Sequence, residues 1–117
     1  MSEIKRLLHK YLSEDAIIVL ALEEKADDVG YQVKQGFIDP KTGRITKKGK
    51  VDVEKHNHLH EKHFKKDAEK TYNQTNLQNL RDLLRKYLWE NPEINPYKGL
   101  TESEQFAFRH VFYAGIR

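Results

Sequence analysis

"YQVKQGFIDPKTGRITKKGK", residues 31–50, interrupts a chain that on either side repeats its apolar residues at helical spacing. Here the pattern alternates, with aromatic and β-branched residues placed around "DPKTG". Pro40 presets φ for a turn, and Gly43 can take the positive φ that closes one. The pattern predicts a short β-hairpin over about residues 36–47, with Phe37 and Ile38 on one arm and Arg44, Ile45 and Thr46 on the other. An isolated two-stranded ribbon is marginal in water, so such a hairpin would have to pack on neighbouring helices.

Upstream, Ile4, Leu7, Leu8, Tyr11 and Leu12 follow Ser2 at helical spacing. Ser13 then opens a second helix, with Glu14 and Asp15 where the helix dipole favours negative charge. Its "AIIVLAL" core is nearly all apolar, which predicts the most buried helix of the molecule. Downstream, helical spacing resumes through Val53, Phe64 and Ala68, and Leu77, Leu80, Leu84, Tyr87 and Leu88 form one stripe. Two Asn-Pro steps end that helix. Thr101 and Glu104 match a capping box that starts a terminal helix, whose Phe106, Phe108, Phe112, Tyr113 and Ile116 complete the core or form an interface. The expected fold is mainly α: a compact bundle of about four to five helices with one short β-hairpin, residues 1–117 forming a single domain.

The composition fits a globular protein, with 38% hydrophobic and 33% charged residues. There is no cysteine, which excludes disulfides, thiolate metal sites and a cysteine nucleophile, and makes the cytoplasm the expected location. The longest apolar run falls far short of the ~20 residues that a bilayer span needs, so no membrane partner is expected. The formal charge of +3 conceals an asymmetry, since residues 1–40 sum to −3 and residues 41–117 to +6. Such a split steers polyanions to one side of a molecule.

The positive charge concentrates in "KTGRITKKGK", residues 41–50, where Lys41, Arg44, Lys47, Lys48 and Lys50 stand without an acidic residue among them. Five cations on a projecting hairpin suit a phosphate backbone, which binds with release of counterions. "GFIDPKTGRITKKGK" resembles the wing of winged-helix DNA-binding domains, with a glycine-hydrophobic arm, an Asp-Pro-x-Thr-Gly turn and a basic return arm. That family sets a recognition helix before the wing; the corresponding "ADDVGYQVKQ" begins acidic. The resemblance therefore implies backbone contacts by Arg44 and Lys47 and not base reading in the major groove.

Just beyond, "VDVEKHNHLHEKHF" holds His56, His58, His60 and His63. At 100° per residue His56, His60 and His63 share an arc of about 60°, while His58 points away. Neutral imidazoles at i and i+4 can chelate a divalent metal such as zinc, with His63 as a third ligand. Ligands from consecutive turns of one helix seldom converge at ~2.0–2.1 Å on one centre, however, so the residues more naturally line a helix face. Crowded imidazoles would also repel one another once protonated, loosening this helix on acidification.

No nucleophile–base–orienter set is present, Ser2, Ser13 and Ser103 all being placed at helix starts, and there is no phosphate-binding glycine loop. The chain is expected not to be an enzyme. Three functions fit it: a small nucleic-acid-associated regulator using the basic hairpin; a protein-binding adaptor or inhibitor, or a homo-oligomer joined through the aromatic C-terminal helix; and a metal-binding protein using His56, His60 and His63.

Overall fold

The computed structural model describes residues 2–113. Among these, six helices follow one another: α1 Glu3–Tyr11, α2 Glu14–Asp27, α3 Val29–Lys34, α4 Lys47–His63, α5 Gln74–Glu90 and α6 Glu102–Tyr113. Helix α4 does not stop at His63 but widens into a π-helical turn, Phe64–Ala68, and ends with Glu69–Thr71. Among the described residues no helix is long and apolar enough to cross a membrane.

Each helix is opened by a short polar side chain, which satisfies one of the amide donors that a helix start leaves unpaired. Ser2, Ser13, Asp28, Thr46 and Asn73 accept from the amides of Lys5, Ala16, Tyr31, Gly49 and Asn76 respectively. At α6 the capping box is reciprocal: the Glu104 amide donates to Thr101 Oγ1 at 3.2 Å, and the Thr101 amide donates to Glu104 Oε1 at 2.8 Å.

Helix α2 is the hub. Ala16, Val19 and Leu20 are fully buried, and α2 packs against α6 along one side and against α4 with its π turn along another. Helix α1 lies against α5. Ile4, Leu8, Leu20, Leu80, Leu84, Phe108 and Val111 interlock as one apolar core, to which Ala68 of the π turn also belongs. The aromatics of α6 serve this core: Phe108 is buried, Phe112 stacks on it at 5.3 Å, and Phe106 meets the Tyr31 ring edge-on at 5.1 Å. Tyr113 is exposed, and Ile116 lies outside the described residues.

The expected β-hairpin is absent: no strand occurs among the described residues, and residues 35–46 form a loop. The turn itself forms where the sequence places it. Gly43 sits at φ 72°, its amide donates to the Asp39 carbonyl at 2.8 Å, and Ile38 and Ile45 form a single antiparallel bridge. The ladder ends there because Thr46 caps a helix. Its amide still donates to the Phe37 carbonyl at 2.9 Å, its hydroxyl donates to the Gly36 carbonyl at 2.7 Å, and from Lys47 onward the backbone is helical. A ribbon of one bridge is marginal on its own, whereas a 17-residue helix rich in Lys, Glu and His packs on α2. The short helix α3 likewise occupies "VGYQVK", whose alternation suggests extended chain.

Gly49 makes the junction possible. It is buried in the first turn of α4, where a Cβ would stand 2.2 Å from the Phe37 carbonyl oxygen and 2.6 Å from Ile45 Cγ1. Only glycine lets the helix start lie this close under the loop.

Candidate functional site: a basic helix start beside a histidine–carboxylate cluster

The change from strand to helix redistributes the basic residues. Lys41 and Arg44 ride on the loop, while Lys47, Lys48 and Lys50 form the first turn of α4, and all five are exposed. None of them makes an ion pair among the described residues; Lys48 is placed over the Phe37 ring, 5.6 Å from its centroid. By contrast, Lys25, Lys65 and Arg109 are paired with Glu102, Glu61 and Asp28 at 2.9, 2.8 and 3.0 Å.

The positive end of the helix dipole sharpens this contrast. Helices α1, α2 and α6 carry Glu or Asp in their first turns, as the dipole favours; α3, α4 and α5 carry none, and α4 places three lysines there. A cation at that position costs roughly 0.3–1 kcal/mol. The loop and helix start thus gather positive charge against local preference, and the buried Gly49 and the Thr46 cap hold it in place.

About three turns further along the same helix the side chains behave differently. His60 Nε2 lies 3.2 Å from Glu23 Oε1, and His63 Nδ1 lies 2.6 Å from Asp15 Oδ1, both carboxylates belonging to α2. His56 stacks on His60 at 6.2 Å, and His60 stacks in turn on Phe64 at 5.7 Å. His58 is exposed on the far side. Of the three histidines that share an arc, the fold keeps His56 and His60 together and engages His63 separately. Among the described residues no group of three or more His, Asp or Glu is arranged to hold a metal ion.

Glu23 is the meeting point of three elements. Besides His60 of α4, its carboxylate accepts from Tyr72 Oη at 2.6 Å and faces His110 Nε2 of α6 at 3.2 Å. Burial alone would raise its pKa, but the hydrogen bonds from His110, Tyr72 and His60 overcome that and hold it at about 2. His110 also meets Glu24, which is 1% exposed, through Nδ1 at 3.2 Å. Glu23 and then Glu24 raise the His110 pKa against the opposing effect of burial. Tyr72 is pushed up by burial and by donating to Glu23. A fourth histidine, His9, pairs with Glu104 at 2.5 Å and ties α1 to α6, and with burial outweighed by Thr101, His9 and Lys5, Glu104 also falls to about 2. Sequence reading misses this cluster because its hydrogen-bonded partners lie at least 37 residues apart.

The fold specifies the neighbours of these imidazoles: His60 and His63 each face a carboxylate of α2. The His56 pKa is lowered by burial and then by His60, on which it stacks.

Two cavities flank this region. One, of about 560 Å³, lies between α2, α3, the loop and α4; a second, of about 450 Å³, is polar and lined by Glu23, Asp27, His56, His60 and His110 among others. Ala26, His56 and Asn57 line both. Comparison with protein-family models, with curated proteins and with solved structures finds no match.

Proposed function

We propose that this chain is a small, non-catalytic, cytoplasmic nucleic-acid-associated regulator, which grips a phosphate backbone with Lys41, Arg44, Lys47, Lys48 and Lys50. The observation that carries this is the clustering of those five exposed cations, without an ion pair among the described residues, on one loop and the helix start that follows it. A cation already matched to a carboxylate has little left to offer a phosphate, whereas an unmatched one displaces counterions and contributes to binding directly. The resemblance to a wing extends to the turn and to the charge, but its basic return arm is a helix start, so the contact would be to backbone oxygens from a loop and a helix end. The histidine–carboxylate pairs join helices to each other, which supports binding over catalysis as the role of the whole.

The test is a pull-down from native lysate with and without nuclease. Nucleic acid that is retained at low salt, stripped by high salt and removed by nuclease is the expected result. A stoichiometric protein complex indifferent to nuclease would replace this proposal with a protein-binding adaptor, a reading favoured by one observation: Trp89 on α5 is 87% exposed, and tryptophan is a frequent interface anchor. Self-association through α6 has only Tyr113 exposed to serve it among the described aromatics of that helix. Zinc binding through His56, His60 and His63 has less support, since His63 is engaged by Asp15.

A further inference from the structure

The cavity of about 560 Å³ shares its wall with the basic loop, and this joint construction suits a particular class of nucleic acid. Gly43 and Ile45, which line it, are the neighbours in sequence of Thr42, Arg44 and Thr46, so a backbone held by Lys41 and Arg44 passes the cavity mouth. Lys55, exposed and unpaired among the described residues, lines the cavity itself. Ile38, Val53 and Leu59 give it apolar walls, and Tyr31 adds an aromatic ring. Its volume is within the roughly 300–1,000 Å³ typical of small-ligand sites.

The polar groups are few and suited to a heterocycle edge. Asn57 is exposed and its carboxamide makes no hydrogen bond among the described residues, leaving both donor and acceptor free. Asp52 offers an acceptor for exocyclic amino groups, a contact that a phosphate would avoid. Gln32 donates its amide to the Lys25 carbonyl at 2.7 Å, which leaves its side-chain oxygen as a further acceptor. Apolar walls, an aromatic ring and a few edge-reading groups, beside unpaired cations, are what an unstacked base requires; a paired base inside a duplex cannot enter such a space.

We propose that the cavity receives one unstacked nucleobase of a single strand whose backbone lies along Lys41, Arg44 and Lys55. This deepens the reading given under the proposed function and rests on it. The test compares fluorescence anisotropy of labelled oligonucleotides of equal length: a mixed-sequence single strand, the same strand made abasic throughout, and a blunt duplex. The single strand is expected to bind at least about fivefold more tightly than the abasic strand, the least that one base stacking on a protein surface contributes. Ala26→Phe, at an exposed position that lines the cavity, fills it and should erase this difference while leaving the salt dependence of binding intact. Val53→Trp, from the 45% exposed Val53 on the opposite wall, serves as a second filling variant, and circular dichroism checks the fold of both. Equal affinity for normal and abasic strands, a preference for duplex, or filled variants that keep the base-dependent gain would each overturn the base pocket while leaving the backbone contact standing. Absence of salt-dependent binding to every probe would overturn both.

Discussion

Helix α4 carries two runs of basic or basic-capable side chains, and they differ in what faces them. At its start, Lys47, Lys48 and Lys50, with Lys41 and Arg44 of the preceding loop, meet solvent; further along, His60 and His63 meet Glu23 and Asp15. The same helix therefore presents charge outward at one end and neutralises it inward at the other. Titratable side chains in a sequence carry no function until their partners are known, and the partners here come from α2, distant in the chain.

That contrast can be broken from either side. The largest effect is expected at the inward end. Glu23→Gln removes the carboxylate shared by His60, Tyr72 and His110, and leaving such partly buried donors poorly matched should cost about 3 kcal/mol, read from the urea midpoint. Gly49→Ala comes next. The added Cβ would collide with the Phe37 carbonyl, so the loop and the helix start must separate at a cost of about 2 kcal/mol, and amide exchange at Thr46 should accelerate as its hydrogen bond to Phe37 breaks.

A smaller effect concerns pH. The His110 pKa is raised in the folded chain, so its contribution is fully present below its ordinary value near 6.5 and is lost as pH rises through the folded value. Glu23, depressed to about 2, contributes above its ordinary value of 4.5 and loses that contribution as pH falls toward 2. His56, whose pKa is lowered, works against His110 below pH 6.5. Thermal melts should show a decline on the alkaline side that His110→Gln removes, and a decline below pH 4.5 that Glu23→Gln reduces. A melting temperature that climbs from pH 6 to pH 9 in the parent would contradict the assignment for His110.

Much of the fold is legible from short-range chemistry. Ser2, Ser13 and the Thr101–Glu104 box announce three helix starts, and the apolar run of α2 announces its central place. Thr46 is the instructive failure. Pro40 and Gly43 do form a tight turn with one bridge, but turn residues specify only the reversal, and whether the returning chain continues as strand or helix depends on what it can pack against. The cap pattern of Thr46 with Gly49 stands in "ITKKGK" and, once the helix is seen, accounts for its start. Val53, placed on the buried face by a regular 100° repeat, is 45% exposed, while Ala68 beyond the start of the π turn is fully buried. At the site, the five cations are legible as a group because they are neighbours in sequence; the glutamate at the centre of the histidine cluster is not, because its partners are joined to it only by the fold.

The most direct measurement is the salt dependence of binding to a single-stranded oligonucleotide by the parent and by the triple variant Lys47→Ala, Lys48→Ala, Lys50→Ala. Because these side chains are exposed and make no ion pair among the described residues, the variant should keep its stability within about 0.5 kcal/mol. Its log–log salt slope should be shallower by about two to three, near 0.7–0.9 for each phosphate no longer neutralised. A slope and affinity identical to those of the parent would contradict the assignment of this helix start as the polyanion-binding surface.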